Sequence, residues 1–199
     1  IVFTSLADDS IAGDTEGNGS TTPLSGAWGG VSFQHSASNR SLALTYVDIR
    51  YGGQGGYDAL STPVYLDPRL NPVITHIQFK SNQYANGIEI AGGTYQANLV
   101  FDITAAPYLM WKDLTVAEGY TLTISPGVIL KFASEIDLYI KGAIIANGTK
   151  AKPIICTTVE DDNVDGVDSS NNGQTTPKAG SWGGIDITAS INSNVSKIT

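Results

Sequence analysis

Short runs in which apolar and polar residues alternate recur along the chain, each bounded by Gly, Asn or Pro. Val128, Leu130 and Phe132 alternate with Ile129 and Lys131, and Ile136, Leu138 and Ile140 with Asp137, Tyr139 and Lys141. Val73, Thr75, Ile77 and Phe79 alternate with Ile74, His76, Gln78 and Lys80, and Ile88 and Ile90 flank Glu89. A period of two sends successive side chains to opposite faces of a sheet, so each run predicts a strand with one dry and one wet face. No stretch of a dozen residues keeps apolar positions at helical spacing, and the chain is predicted to be all-β. On this phase Phe132 points into the core and does not tolerate aspartate, whereas Lys131 faces water and does.

The second pattern is an internal repeat. Ile1–Thr45 aligns with Ile154–Thr199, pairing Asp8-Asp9 with Asp161-Asp162, Thr21-Thr22-Pro23 with Thr175-Thr176-Pro177, and Trp28-Gly29-Gly30 with Trp182-Gly183-Gly184. The offset is 153 through Gly13/Gly166 and 154 from Gly19/Gly173, so one residue is added in the second loop. A period near 154 plus an overlap near 45 accounts for all 199 residues. Long repeats of short strands are the mark of stacked architectures. Leu6–Gly26 and Val159–Gly180 read as the same Asp/Asn/Thr-rich loop insertion in two copies.

The run from Leu114 to Phe132 is followed by Lys141-Gly142, then Ala146-Asn-Gly-Thr149, then Pro153-Ile-Ile155 with its Asp-Asp loop and Trp182-Gly-Gly184. Together these resemble bacterial secreted and cell-surface proteins with right-handed parallel β-helix repeats, of the pectate-lyase-like solenoid superfamily. Asp48-Ile-Arg-Tyr-Gly-Gly53 fits the same pattern, and residues 54–72 and 92–110 are the least typical. The resemblance implies a three-faced β-solenoid whose layers stack at roughly 4.8 Å. At roughly 20–25 residues per layer, about seven rungs are expected once the loops are set aside. The expected organisation is the end of one module at 1–107 and the start of the next at 108–199, with a seam at Pro107–Asp113. Neither end carries an expected cap, so Ile1, Val2, Phe3, Val195 and Ile198 are candidate assembly residues. The expected partners are flanking β-helix modules of a longer chain, or further copies stacked head to tail into a fibre.

Composition narrows the function. Lys and Arg number 11 against 19 Asp and Glu, a net charge of −8, which excludes a nucleic-acid footprint. No apolar run approaches the roughly 20 residues of a membrane span. Cys156 is the single cysteine, so no internal disulfide or cysteine-rich metal site forms, and its alignment with Phe3 predicts a buried thiol. The low charge and near absence of cysteine suit the outside of a cell.

The chemistry is thin. Asp161-Asp-Asn-Val-Asp-Gly166 contains the opening of a calcium loop, making Asp161, Asn163, Asp165 and Asp168 a candidate structural calcium set. Asn172 stands where such a loop needs its acidic twelfth ligand, and the first copy has Ala12 for Asp165, although Asp14 and Glu16 lie nearby. The alternative is an Asx-turn-rich loop solvated by water. Trp28 and Trp182 read either as corners covering the core or as sugar-stacking platforms, with the former favoured. His35 and His76 lack a local nucleophile partner. Asp48, Glu89, Asp102 and Asp137 alternate with inward apolar residues and are expected to face solvent, with Arg50 pairing Asp48 across rungs. The expectation is a non-catalytic extracellular structural or adhesive module that requires no cofactor. The alternative is a carbohydrate-active enzyme (a polysaccharide lyase or glycoside hydrolase) or a polysaccharide-binding module on the same fold.

Overall fold

A computed structural model describes residues 1–36, 41–54 and 62–188, together with the backbone of 197–198. Its strands are short. The first six are β1 (Val2–Phe3), β2 (Val31–Phe33), β3 (Ala43–Arg50), β4 (Val64–Leu66), β5 (Val73–Lys80) and β6 (Ile88–Ile90). Then come β7 (Gly93–Tyr95), β8 (Leu99–Phe101), β9 (Tyr108–Met110), β10 (Leu114–Val116), β11 (Thr121–Ile124) and β12 (Ile129–Phe132). The series closes with β13 (Asp137–Ile140), β14 (Ala143–Ala146), β15 (Ile155–Thr158), β16 (Gly184–Ile187) and β17 (Lys197–Ile198). One helical turn, α1 (Asp9–Ala12), lies in the first loop. The protein is nearly all β, as the alternation predicts.

All strand pairs among the described residues are parallel. A six-stranded sheet runs β15-β12-β9-β6-β4-β2, and two four-stranded sheets run β16-β13-β10-β7 and β17-β14-β11-β8. A three-stranded sheet, β1-β3-β5, completes the set. From β7 onward the chain visits the two four-stranded sheets and then the six-stranded one, and repeats that order. Sheet membership changes between Lys80 and Gly93, while the six-stranded sheet continues through the change. In the expected seam at 107–113, β9 pairs with β6 on one side and β12 on the other.

Parallel register stacks like on like. Val31, Val64, Ile88, Tyr108, Leu130 and Cys156 form one inward ladder of the six-stranded sheet. These residues join Leu114, Leu122, Phe132, Leu138 and Ile140 in one core extending along the sheets, each of those five wholly buried. Burying a side chain of this size contributes roughly 1.5–3 kcal/mol. Cys156 packs on this core but is only half buried, because β15 is the edge of its sheet. Burial still pushes its thiol up to about 11.

Two expectations about strand phase are corrected. In β5 it is Ile74 that is buried, at 3% exposure, while Val73 is 58% exposed. The cause is His76, whose φ of 51° is left-handed and bends the strand, so that positions 74 and 77 both turn inward. Tyr46, with φ of 53°, makes the same bend in β3. Arg50 pairs with Asp48 of its own strand at 2.5 Å, not across strands, because the register sets Asp48 beside Gln78 and Arg50 beside Lys80.

The larger correction concerns the outer face of the six-stranded sheet. Its outward ladder is Tyr65, Glu89, Leu109, Lys131 and Thr157. Glu89 is 7% exposed, and Leu109 and Lys131 are fully buried. Both faces of this sheet are therefore covered over β6, β9 and β12.

Candidate functional site

The cover is the second insertion, residues 159–180, which leaves β15 and doubles back over the sheet. Val159 seats against Leu109 and Ala85, with Trp111 and Ala133 beside them, forming a small second core outside the sheet. Farther along, Asn171 donates from Nδ2 to the carbonyls of Asn82 (2.6 Å) and Gln83 (2.9 Å). Asn86 donates from Nδ2 to the Asp168 carbonyl at 2.9 Å, and its amide donates to the Ser169 carbonyl. The insertion is thereby tied to the turn before β6, more than 80 residues upstream.

Lys131 lies beneath the strap. Its Nζ donates to Asp165 Oδ1 at 2.8 Å, to Ser169 Oγ at 2.8 Å and toward the Val167 carbonyl at 3.4 Å. The side chains are 0% and 12% exposed for Lys131 and Asp165. Asp165 Oδ1 also accepts from the Val167 amide, while Asp165 Oδ2 is buried with no hydrogen-bond partner. A desolvated ammonium needs such a carboxylate: removing either partner strands the other charge. The alternation of β12 gave the correct direction for Lys131 and the wrong environment, since a wet face was expected.

The other candidate calcium residues are turned to separate donors. Asp161 Oδ2 accepts from the Thr157 hydroxyl at 2.8 Å. Asp168 caps the amides of Asn172 and Gly173 at 3.1 and 2.9 Å, and Asn163 is exposed. Among the described residues, no group of three His, Cys, Asp or Glu side chains is placed to hold a metal ion. Oxygens of Asp161, Asp165 and Asp168 accept hydrogen bonds from β15, from β12 and from the loop's own amides.

The first loop repeats this internal scaffold. Thr21 donates its amide and hydroxyl to Asp9 Oδ2 and its hydroxyl to the Ala7 carbonyl; Thr175 does the same with Asp162 and Glu160. Asp14 caps the amides of Asn18 and Gly19 as Asp168 caps Asn172 and Gly173, and Thr4 meets Asp8 as Thr157 meets Asp161. Burial alone would raise the Asp8 carboxyl, but hydrogen bonds from Ser10 and Thr4 outweigh it and hold it below its ordinary value. The amide of Gly19 is the main cause of the lowered Asp14 value. In the first loop Leu6, the counterpart of Val159, is 73% exposed. Ile1, Val2 and Phe3 are 78%, 38% and 36% exposed at the free edge of β1. Of the remaining assembly candidates, Ile198 is placed in β17 by its backbone and Val195 lies outside the described residues.

Trp182 stacks on Phe132 at 4.5 Å, and Trp28 tilts over Phe3 at 6.5 Å while donating Nε1 to the Arg50 carbonyl at 2.6 Å. Both pack, partly buried, against the core. Sequence reasoning did not join Tyr46 to His76, which stack face to face at 4.1 Å on the surface bend. The signal was available: Ala43–Arg50 and Val73–Lys80 align position for position, with Tyr46 opposite His76. Two open depressions flank these features. One, about 450 Å³, lies between β5, Ala105–Pro107 and the strap, with Asp168 among its lining residues. The other, about 400 Å³, is walled by Arg69 and Gly92–Gln96. There Arg69 pairs with Asp67 at 2.6 Å and its guanidinium sits 5.6 Å over Tyr95. Burial drives the Tyr95 phenol up to about 12. Burial also opposes ionisation of Asp67, yet the Arg69 hydrogen bonds prevail and lower its pKa.

No family model matches the chain. No solved structure matches it. Over 79 residues it is 29% identical to Protein bark beetle of Drosophila melanogaster, a stretch that makes 40% of this chain and 2% of that protein. The chain thus spans only a small fraction of that relative's length.

Proposed function

We propose that the chain is part of a three-faced, right-handed parallel β-solenoid that serves as a non-catalytic structural and adhesive scaffold outside the cell. The observation that carries the reading is the stack itself. In-register parallel strands share one unbroken core, and from β7 onward the chain returns to the same sheets in the same order. Six strands at roughly 4.8 Å apart give the longest sheet a height of about 24 Å between its outermost strands. The carboxylates of the long loops that accept internal hydrogen bonds, among them Asp161, Asp162 and Asp168, support a scaffold reading. Asp8 and Asp67 are held below the ordinary carboxylate value by hydrogen bonds that outweigh their burial, which suits charged structural groups. Among the described residues β1, β2, β15 and β16 each end their sheet, which suits pairing with flanking layers or further copies.

The test is electron microscopy and fibre diffraction of the full chain at rising concentration, together with incubation on a polysaccharide panel. Rods with a meridional spacing near 4.8 Å and no new reducing ends or unsaturated products are expected. Catalytic turnover of any polysaccharide overturns the reading in favour of the carbohydrate-active alternative.

A further inference from the structure

The internal repeat sets two segments of one chain in competition for one place. Residues 154–188 dock on β12 and β13 through β15 and β16, with Cys156 beside Leu130, Thr157 beside Lys131 and Ile185 beside Leu138. Residues 1–34 carry the same apolar pattern, with Phe3, Val31 and Phe33 at the positions of Cys156, Ile185 and Ile187. They also fold their loop with the same Asp–Thr and Asp–amide hydrogen bonds. Backbone and core therefore give little basis for choosing one segment over the other. A second copy of the chain could offer its residues 1–34 to β12, displacing 154–188 and beginning an open head-to-tail chain.

The difference lies under the strap. Asp165 of the second segment corresponds to Ala12 of the first, while Ser169 corresponds to Thr15, which keeps a hydroxyl. Both position 12 and position 165 sit in the same turn, closed by the Gly13 amide on the Asp9 carbonyl and by the Gly166 amide on the Asp162 carbonyl. Segment 1–34 docked on β12 would set Ala12 and Thr15 against the Lys131 ammonium, without the carboxylate that Asp165 supplies from that turn.

We propose that the buried Lys131–Asp165 pair is a specificity determinant, by which the six-stranded sheet accepts residues 154–188 of its own chain and refuses residues 1–34 of a second copy. An uncompensated buried charge disfavours the wrong segment by roughly 150- to 5000-fold. Rejection by an unpaired charge is a general route to specificity between near-identical partners. The inference rests on the register and the repeat, and holds whether or not the protein is an extracellular scaffold.

The test moves the carboxylate within the full chain. Asp165→Ala and the double variant Asp165→Ala/Ala12→Asp are refolded at low and high concentration and followed by light scattering and thermal melting, with the wild-type chain as reference. Ala12 is exposed, so its change does not disturb the fold. Asp165→Ala is expected to melt below wild type at every concentration without added association. The double variant is expected to assemble beyond the wild-type mass at high concentration, its melting temperature rising toward wild type as it does so. If Asp165→Ala does not fold, Asp165→Asn with and without Ala12→Asp replaces it, with the same expectations. The proposal is overturned if the double variant matches the single one in mass and melting at all concentrations. It is equally overturned if the single variant associates as strongly as the double.

Discussion

Lys131→Asp is the sharpest probe of the covered outer face. Lys131 is fully buried, and its Nζ is held at 2.8 Å by both Asp165 and Ser169. Aspartate there removes the cation, leaves the Asp165 carboxylate under the strap, and places a second carboxylate beside it. Breaking a buried pair costs about 3–5 kcal/mol even before the like charge is added. Set against a total stability of roughly 5–15 kcal/mol, that is a large share of the whole. With a urea m-value of about 2 kcal/mol per molar, the midpoint should fall by roughly 1.5–2.5 M. Urea titration followed by tryptophan fluorescence measures it, because Trp182 stacks on Phe132, the neighbour of Lys131. The control is Lys141→Asp, on an exposed position just after β13, expected to shift stability by no more than about 0.5 kcal/mol. Equal midpoints for the two variants would refute the burial of Lys131 and with it the strap.

Gly142→Ala should destabilise by at least about 2 kcal/mol, since an added Cβ would run into the Tyr120 and Ala117 carbonyls of the preceding layer. Gly119→Ala meets nothing within 4 Å, and only its φ of 85° is penalised, by about 1 kcal/mol; thermal melts that reverse this order would show the layers are misplaced. Asp8 and Asp67 have folded pKa values below the ordinary 3.8. Their contribution is thus complete above that value and lost as pH falls through the lower folded values, and an acid titration of stability should decline there. Asp67→Asn should remove part of that decline. Calcium or a chelator should leave the melting temperature unchanged, because Asp161, Asp165 and Asp168 already accept from protein donors. A calcium-dependent rise in melting temperature would refute that assignment of their lone pairs.

The strand faces were legible where alternation is local. Leu130 and Phe132 in β12, and Leu138 and Ile140 in β13, are all fully buried as their spacing predicts. Alternation failed where a left-handed residue interrupts the strand. His76 resets the phase of β5, and a period-two pattern contains no symbol for that bend. It failed again where burial comes from distant chain: nothing in the sequence near Glu89 or Lys131 announces the cover supplied by Thr62 or by Val159–Gly180. Likewise the D-x-N-x-D-G run specifies oxygens at calcium spacing, but not where they point. In the structure Asp165 turns to a lysine 34 residues upstream and Asp161 to Thr157.

The two loops separate what the repeat encodes from what each copy adds. The Asp–Thr and Asp–amide hydrogen bonds occur in both copies although many intervening residues differ, so they belong to the loop's own fold. Val159, Asp165 and Asn171 anchor the second loop to the sheet, and their counterparts Leu6, Ala12 and Gly17 preserve only the apolar one of the three. The apolar anchor suits any sheet with a hollow like that of Ala85 and Leu109, whereas the two polar anchors fit one set of partners. Nonpolar burial carries little directional information, and a buried ammonium or an amide demands a matching group at a fixed place. Differences at 12 and 17 thus alter what the first loop can be tied to without altering how it folds.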